Sequence, residues 1–537
     1  MEISATRRWG AVAALGLSVL VVGLDLTVLN LALPTLAREL HASTGDLQWF
    51  IAAYSLVVAA FLLPAGMLGD RLGRKKVLIL ALIMFGASSA ACAYSVSAGE
   101  LIAARAVLGL GAAAILPLAL SVLPVLFTEE ERPRAIAAVS AAIFLSYPVG
   151  PILGGWLLDR FWWGSVFLIN VPVVIVAVVV VALLMPESRS AERPRVDLIG
   201  MGISSLGLTA LTYGTIKAGE NGWGNRVALT GMLGGVAVLG LFVLWERAAG
   251  RRAIQPLVDL SLFRSARFTW GTILTTAVSF AMFGILFAMP QYFQDVRGFN
   301  ALGSGLRLLP LILGMLVGLV LGGRLTEPRR SGPGTAEGVK PEPRAGAKLL
   351  VTAGFAVMAA GLAVGAFTKI SSGTGFAAAW FAVAGAGLGL AIPSAMNAAL
   401  GALSAERSGA GSALISAMRQ VGATIGVAVL GTILNSVYRG QLHLGGLPPR
   451  IADATRDSVG VGVLVAHKLG SAPLLDAVRT AFVHGMDVML WVCGGLALAN
   501  ALLALTFLPR QASTASQTAQ TVPAGQSATA QVGEREG

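Results

Sequence analysis

Two ionisable residues of this sequence stand inside apolar stretches. Asp25 lies about halfway along the stretch 11–34, and Arg105 lies early in the stretch 101–124. An ionised carboxylate at the centre of a membrane helix costs roughly 2.5 to 3.5 kcal/mol on insertion scales. A carboxyl group there that alternates between protonated and ionised forms would suit proton coupling. A structural hydrogen bond is the alternative for Asp25, and for Arg105 it is an extension of the side chain to the membrane surface.

Several polar side chains in other apolar stretches are candidates for contact with a substrate. Asn30 follows Asp25 by five residues, about 140° around a helix, so the two cannot share one face. Arg419 shares a helical stripe with Gly422 and Gly426, which lets another backbone approach beside the charge. For each candidate the alternative is a bond between helices or an anchor at the membrane interface. The residues that we predict to line a substrate cavity are Asn30, Gln291, Gln294, Arg419 and Gln420.

The elements that must position these residues are membrane helices. Hydrophobic residues make up 55% of the 537, charged residues only 12%, and the mean hydropathy is +0.77. That composition leaves too little polar surface to cover a soluble protein of this size. Unbroken apolar runs of about 20 residues predict an all-α polytopic protein rather than a barrel of short alternating segments. The fourteen predicted spans are 11–34, 48–69, 77–95, 101–124, 135–157, 165–185, 197–216, 227–245, 268–291, 303–323, 348–368, 376–399, 411–434 and 485–508.

The distribution of Lys and Arg predicts which ends of the spans face the cytoplasm. With the N-terminus in the cytoplasm, most of the 39 Lys and Arg residues lie in cytoplasmic segments, as the positive-inside rule requires. The even number of spans then places both termini on that side. The net charge of +12 is spread over many short loops, so lipid headgroups are the expected partner. We therefore predict no nucleic-acid partner.

The chain is predicted to contain two six-helix halves with two further spans inserted between them. The cytoplasmic loop 326–347, rich in Pro, Gly and charge, and the tail 511–537 are predicted to be disordered. A long external loop, 435–484, could hold a short helix, but the sequence gives it no role. The predicted parts are a cytoplasmic N-terminus at 1–10, an N-terminal half at 11–185, an inserted pair at 197–245 and a C-terminal half at 268–508.

The sequence offers no site for a cofactor. Cys92 and Cys493 fall inside predicted spans and lack the spacing of metal ligands. The phosphate-binding Gly-x-x-x-x-Gly-Lys-[Ser/Thr] motif is absent as well. We therefore predict no metal, no cofactor and no enzyme activity. Richness in Ala, Gly and Leu with few Lys resembles proteins of GC-rich bacteria, so we expect the bacterial plasma membrane.

A loop between the second and third spans indicates the class of membrane protein. Its sequence, Gly-Met-Leu-Gly-Asp-Arg-Leu-Gly-Arg-Lys-Lys at 66–76, resembles the Gly-x-Leu-x-Asp-Arg-x-Gly-Arg-[Arg/Lys] motif of the major facilitator superfamily. Segments 24–34, 150–155, 167–172 and 419–422 resemble motifs of its fourteen-span drug:proton antiporters. The resemblance covers roughly residues 11 to 510 and implies the major facilitator fold.

The resemblance also implies roles for individual residues. Asp25 and Arg105 would take part in proton coupling, although Leu108 stands where the family usually has Gln. The loop would act as a conformational latch, and the glycines of the fifth span would form a bending point and seal. A plain positive-inside turn and ordinary packing of small residues are the alternatives. The latch residues are Gly66, Asp70, Arg71, Gly73 and Arg74, and the antiporter motif residues are Gly150, Pro151, Gly154 and Gly155.

We therefore predict a proton-coupled secondary transporter that exports drugs, antibiotics or other lipophilic compounds by alternating access. Its expected partners are a lipophilic small molecule, neutral or cationic, together with protons and the lipid bilayer, and we expect a monomer. One alternative is a transporter of an endogenous solute or secondary metabolite on the same fold. Another is a membrane sensor or scaffold that transports nothing.

Overall fold

A computed structural model describes residues 5–189, 197–251, 258–326, 346–445 and 447–509, in which every regular element is helical. Fourteen helices of this part are long and apolar enough to cross a membrane, as predicted. A 3₁₀ turn, Leu260–Arg264, precedes α11, and a π-helical turn, Tyr292–Val296, extends it. The α-helices are α1 Ala5–Glu39, α2 Thr44–Leu72, α3 Arg74–Ala93, α4 Ala98–Ser121, α5 Leu123–Leu126, α6 Arg132–Arg160, α7 Ser165–Leu168, α8 Asn170–Leu184, α9 Leu198–Asn221, α10 Arg226–Arg251, α11 Ala266–Gln291, α12 Ala301–Thr326, α13 Ala347–Gly365, α14 Thr374–Leu400, α15 Ala405–Gln441, α16 Pro449–Asp457, α17 Val459–Lys468 and α18 Ala472–Phe507.

Two segments predicted to be disordered fall mainly outside this described part. Of the loop 326–347, only the end of α12, Gly346 and the start of α13 are described. The tail 511–537 lies outside the described residues, and so do residues 1–4 of the predicted N-terminal segment.

Successive spans run in opposite directions, so their connections lie on two faces. The near face carries the start of α1 and the turn between α2 and α3, and the far face carries the turn between α1 and α2. We call α1–α8 the N half and α11–α18 the C half. In the N half, α1 packs against α6 and α8, and α2 against α4; in the C half, α14 packs against α12 and α13. The halves meet mainly at three seams, α1–α11, α2–α15 and α6–α12, and α1 also contacts α12 and α17.

The inserted helices α9 and α10 pack against each other, and α9 also contacts both halves. Its contacts with α15 are polar. The Thr432 hydroxyl donates to the Thr215 carbonyl oxygen at 2.9 Å, and the Asn435 amide donates to that of Gly219 at 3.1 Å. Its contact with α2 includes an aromatic pair with ring centroids 6.5 Å apart, Trp49 with Tyr213. The inserted pair is therefore hydrogen-bonded to the C half while it packs against the N half.

The segment 435–484 is mostly helical, which corrects the long external loop predicted there. It holds the end of α15, all of α16 and α17, and the start of α18. Ser458 and Ser471 are the N-cap residues of α17 and α18, and their hydroxyls accept main-chain N–H groups. The buried Tyr438 hydroxyl donates to the Thr455 carbonyl oxygen at 2.8 Å, which ties α16 to α15. Hydropathy located only the apolar part of α18, because a polar helix beyond the hydrocarbon layer gives no hydropathy signal.

Replacing Tyr438 with Phe should loosen α16 and α17 without unfolding the spans. A buried hydrogen bond contributes about 1 kcal/mol, so main-chain amides in 449–468 should exchange with deuterium roughly fivefold faster. Hydrogen–deuterium exchange with mass spectrometry measures this change. Tyr94→Phe is the matched control, since Tyr94 is 67% exposed on the same face. Unchanged exchange in Tyr438→Phe would mean that apolar packing alone holds these helices.

Candidate functional site

Asp25 and Arg105 form an ion pair inside the N half. Asp25 is on α1 and Arg105 on α4, and Nη1 of the arginine donates to Oδ2 of the aspartate at 2.5 Å. Neither side chain is more than 1% exposed. Burial of one charge alone would be very unfavourable, so each group offsets the desolvation of the other. The predicted spans contained both residues, but the sequence did not show that they are in contact.

Arg105 has partners besides Asp25, and both lie on α2. Its Nε donates to the Phe50 carbonyl oxygen at 3.0 Å, and its guanidinium lies 4.6 Å from the centroid of the Tyr54 ring. Leu108, which stands where a polar residue is usual in the resembling family, is fully buried. The alternative in which Arg105 extends to the surface is wrong, because its side chain is 0% exposed.

Three polar atoms at this pair have no hydrogen-bond partner among the described residues. They are Asp25 Oδ1, Arg105 Nη2 and the Tyr54 hydroxyl. Buried polar atoms are nearly always paired, so a cluster of unpaired ones marks a place that water, a proton or a ligand can occupy. Oδ1 can accept a proton while Oδ2 still contacts the guanidinium. The site can therefore be protonated before its ion pair breaks.

The charged segment 66–76, predicted as a loop, is the end of α2, Gly73 and the start of α3. Two of its basic side chains bond within the N half. Nε of Arg74 donates to Asp70 Oδ1 at 2.8 Å, and its Nη1 donates to the Ser121 carbonyl oxygen at the end of α4 at 2.8 Å. Lys75 Nζ donates to the Ala182 carbonyl oxygen in the last turn of α8 at 2.7 Å. Both cations thus lie at helix C-termini, where the helix dipole favours positive charge. Asp70 is thus paired with Arg74 of the same segment in this arrangement.

Among the other loop residues, Gly73 is the one whose backbone requires glycine. Its φ is +118°, and a Cβ there would lie 2.6 Å from Glu187 Oε1. At Gly66 a Cβ would meet Pro117 only at the ordinary distance of 3.7 Å. Arg71 is exposed on the near face.

The glycines of α6 bring three helices together. Gly150 and Gly154 face α1, and Gly155 faces α12. A Cβ at Gly155 would lie 2.5 Å from the Cα of Leu302, and the Pro151 carbonyl lies against the same helix. This predicted motif therefore lies between α1 of its own half and α12 of the other half.

Three residues predicted to line a cavity are buried and bonded to main-chain carbonyl oxygens. Two of the bonds stay within one helix turn, and the third crosses from the C half to α1. The Asn30 amide donates to the Leu26 carbonyl oxygen at 2.7 Å, the Gln291 amide to that of Phe287 at 2.9 Å, and the Gln294 amide to that of Leu31 at 2.9 Å. Contact of these residues with a substrate stays a prediction.

Arg419 and Gln420 are half-buried on α15. Nε of Arg419 lies 3.4 Å from the Ser279 hydroxyl of α11. Gly422 and Gly426 of α15 face main-chain atoms of α11, so the two backbones approach closely beside the Arg419 charge. Arg419 and Gln420 keep more exposure than the three buried amides.

A cavity of about 270 Å³ lies in the C half between α12, α14 and the π-helical turn. Phe293, Arg307 and Pro310 are among the residues that line it. The Arg307 guanidinium lies 3.5 Å from the centroid of the Phe299 ring. None of the residues predicted to contact a substrate lines this cavity, and it does not include Asp25.

Sequence reasoning missed an ion pair at the far face. Arg38, in the last turn of α1, donates to Asp295 of the π-helical turn at 2.5 Å. Both residues stand four positions beyond a predicted span end, at 34 and 291, and were assigned to external loops. Pairing across 257 residues depends on tertiary contacts, so no local signal could have found it.

Comparison with known proteins finds a family model and similar proteins along nearly the whole chain. The Major Facilitator Superfamily model matches residues 15–427. The tetracenomycin C resistance and export protein of Streptomyces glaucescens is 32% identical over 513 residues, which cover 93% of this chain and 91% of that one. The multidrug efflux pump LfrA of Mycolicibacterium smegmatis is 31% identical over 502 residues, covering 92% of this chain and 95% of the pump.

Solved structures of transporters share the fold. A bacterial homologue of the human lysosomal transporter Spinster, in an inward-facing and unoccupied conformation, aligns with a TM-score of 0.66 at 18% identity. That alignment covers 95% of this chain and 99% of the homologue. A D-xylose–proton symporter aligns with a TM-score of 0.59 at 14% identity, covering 93% of this chain and 98% of the symporter.

Replacing Gly155 with Ala should force α6 and α12 apart. The added Cβ would meet main-chain atoms of Leu302, and overpacking of this kind typically costs about 1–3 kcal/mol. Chemical unfolding in detergent should show this loss in the free energy of unfolding. Gly99→Ala is the matched control, because a Cβ there meets nothing within 4 Å. Equal stability of the two variants would contradict the tight seam.

Proposed function

Because this chain belongs to the major facilitator superfamily, and is therefore a membrane transporter, we propose that it exports lipophilic drugs or antibiotics in exchange for protons. The buried Asp25–Arg105 ion pair, with its unpaired carboxylate oxygen, is the observation that carries the proton part. Relatives named for tetracenomycin C export and for multidrug efflux support the drug part. We place the protein in the bacterial plasma membrane as a monomer, with the near face and both termini cytoplasmic.

In this proposal Asp25 carries the proton. When the site is open to the far side, a proton binds Oδ1, neutralises the carboxylate and weakens its hold on Arg105. The Phe50 carbonyl and the Tyr54 ring then keep the guanidinium stabilised without the carboxylate. When the site opens to the near side, the proton leaves and the ion pair forms again. One proton thus crosses from the far side to the near side in each cycle.

The substrate would travel in the opposite direction. A lipophilic cation would compete with Arg105 for the ionised Asp25, whereas a neutral compound would be held by apolar walls. Gln420 would supply a polar contact to either kind of compound, whereas Arg419, being a cation, would supply one to a neutral compound. Because proton and substrate bind in alternation, the proton gradient drives export.

The transition would be a rocking of the two halves about the site. Polar contacts cross between the halves at the far face, where Arg38 meets Asp295 and Gln294 meets Leu31. At the near face, by contrast, the Arg74 and Lys75 side chains donate to Asp70, Ser121 and Ala182, which all belong to the N half. We therefore interpret this arrangement as closed on the far side. In the opposite state, we propose that Asp70 leaves its present position and latches the near face against the start of α15.

The second candidate is export or import of an endogenous solute or secondary metabolite on the same fold. It differs from the first only in the compound transported. A non-transporting sensor is no longer a candidate, because the family is one of transporters.

Replacing Asp25 with Asn should abolish proton-driven accumulation of ethidium in inside-out vesicles. The amide cannot exchange a proton, so uptake driven by an acidic lumen should fall by roughly tenfold or more, while downhill flux of the dye continues. Asp453→Asn, which removes a carboxylate that is 75% exposed, should leave uptake unchanged. Full proton-driven uptake by Asp25→Asn would contradict the coupling role. Wild-type vesicles that take up neither ethidium nor a neutral antibiotic would favour the endogenous solute.

Asp70→Asn should slow export with normal membrane insertion. The amide still bonds Arg74 in the present state but lacks the charge needed at a helix N-terminus in the other state, so we expect a severalfold lower rate. Ethidium efflux from cells at equal expression measures it. Glu130→Gln, which removes an exposed carboxylate between α5 and α6 on the same face, should export normally. Normal export by Asp70→Asn would leave the loop with a role in membrane topology alone.

A further inference from the structure

We propose that the Arg38–Asp295 ion pair is a gate that holds the far face closed and sets the balance between the two states of the transporter. No motif of the sequence includes this pair. The inference rests on the alternating access proposed above. In it, Arg38 and Asp295 at the far face control how often the site faces the near side.

The pair joins the halves at the far end of the α1–α11 seam. Arg38 Nη1 donates to Asp295 Oδ1 at 2.5 Å. The Asp295 side chain is 1% exposed, whereas that of Arg38 is 34% exposed. Beside it, Gln294 donates to the Leu31 carbonyl oxygen of α1 at 2.9 Å. Two consecutive side chains of the C half therefore bond α1 of the N half.

The backbone of Asp295 also points to a functional role. Residues 292–296 form a π-helical turn, a rare geometry that is frequent at functional sites. The turn ends α11 with both Gln294 and Asp295 buried and bonded to α1. Separation of α1 from α11 would break both bonds and bring the carboxylate into water.

A second contact across the halves closes the α6–α12 seam on the same face. Asp159 of α6 accepts the main-chain N–H of Ala301 at 3.0 Å and of Leu302 at 3.2 Å, at the N-terminus of α12. The positive end of the helix dipole favours this carboxylate. Because Asp159 is exposed, this contact is weaker than the buried pair. Of these two contacts, the buried pair at Asp295 is therefore the stronger. The α2–α15 seam is bonded as well, because the Gln48 amide donates to the Val427 and Ala428 carbonyl oxygens at 3.0 Å and the Thr44 hydroxyl donates to that of Asp457, at the end of α16, at 3.0 Å.

The difference in burial predicts different effects of removing each partner. Without Arg38, the closed state would bury the Asp295 carboxylate unpaired, which is strongly unfavourable. Its Oδ2 already lacks a hydrogen-bond partner among the described residues. Without the Asp295 charge, Arg38 can still be hydrated where it is. Loss of Arg38 should therefore open the far face more than loss of the Asp295 charge.

Spin labels on the far-face loops of the two halves would measure this opening. Val96 is 81% exposed before α4, and Ser371 is exposed before α14. Both would be replaced with Cys in a protein in which the buried Cys92 and Cys493 are replaced with Ala. Pulsed electron paramagnetic resonance of the full chain in liposomes gives the distances between the labels. A longer distance reports the far-open state.

We expect Asp295→Asn to raise the ratio of far-open to closed molecules roughly fivefold, and Arg38→Gln to raise it by more than tenfold. The double variant should match Asp295→Asn, because it buries no unpaired charge. Arg38→Lys, which keeps the charge, should shift the ratio least. Since fewer molecules then face the near side, the apparent KM for ethidium added at that face should rise with the ratio.

Asp453→Asn is the matched control, since Asp453 pairs with Arg456 within one helix on the same face. It should change neither the distance nor the KM. Unchanged distances in both single variants, or simple additivity in the double variant, would overturn the gate even if ethidium is exported. Shifted distances in a protein that moves no substrate would instead contradict the proposed function and leave the gate standing. If Asp295→Asn fails to fold, Arg38→Gln and Arg38→Lys still decide the proposal.

Discussion

The burial of charge away from water is the constraint on which this structure depends. Asp25 and Asp295 are almost fully buried, and each lies beside an arginine that offsets its desolvation. At Asp25 that arginine is Arg105, which α2 holds with a carbonyl oxygen and an aromatic ring. Three helices are thereby fixed around a single pair. A change in the protonation of Asp25 therefore acts first on the contact that joins α1 to α4.

The same constraint distinguishes the two faces of the protein. At the far face, the buried Asp295 carboxylate of the C half pairs with Arg38 of the N half. Closing the seam between the halves therefore also neutralises this charge. At the near face, Arg74 is paired with Asp70 and with the end of α4 inside one half. The near-face charges therefore do not depend on contact between the halves, whereas the far-face charges do.

Much of the fold could be predicted from the sequence, because spans need apolar runs of a fixed length and all fourteen appear in the structure. Contacts between helices could not be predicted in the same way. Asp25 and Arg105 were each recognised as unusual, but nothing local shows that they touch. Asp295 was missed because hydropathy ends a span where polar residues begin, while the helix continues through a π-helical turn. α16 was missed because it is polar, and α17, although apolar, has only 10 residues and is too short for a span.

The inserted pair is attached to the two halves by different kinds of contact. Two hydrogen bonds fasten α9 to α15, and both are accepted by main-chain carbonyl oxygens of α9. Its contact with α2 instead includes the tilted aromatic pair of Trp49 with Tyr213. The inserted pair is therefore tied to the C half by directional hydrogen bonds and to α2 by packing, and α9 bridges the two helices of the α2–α15 seam.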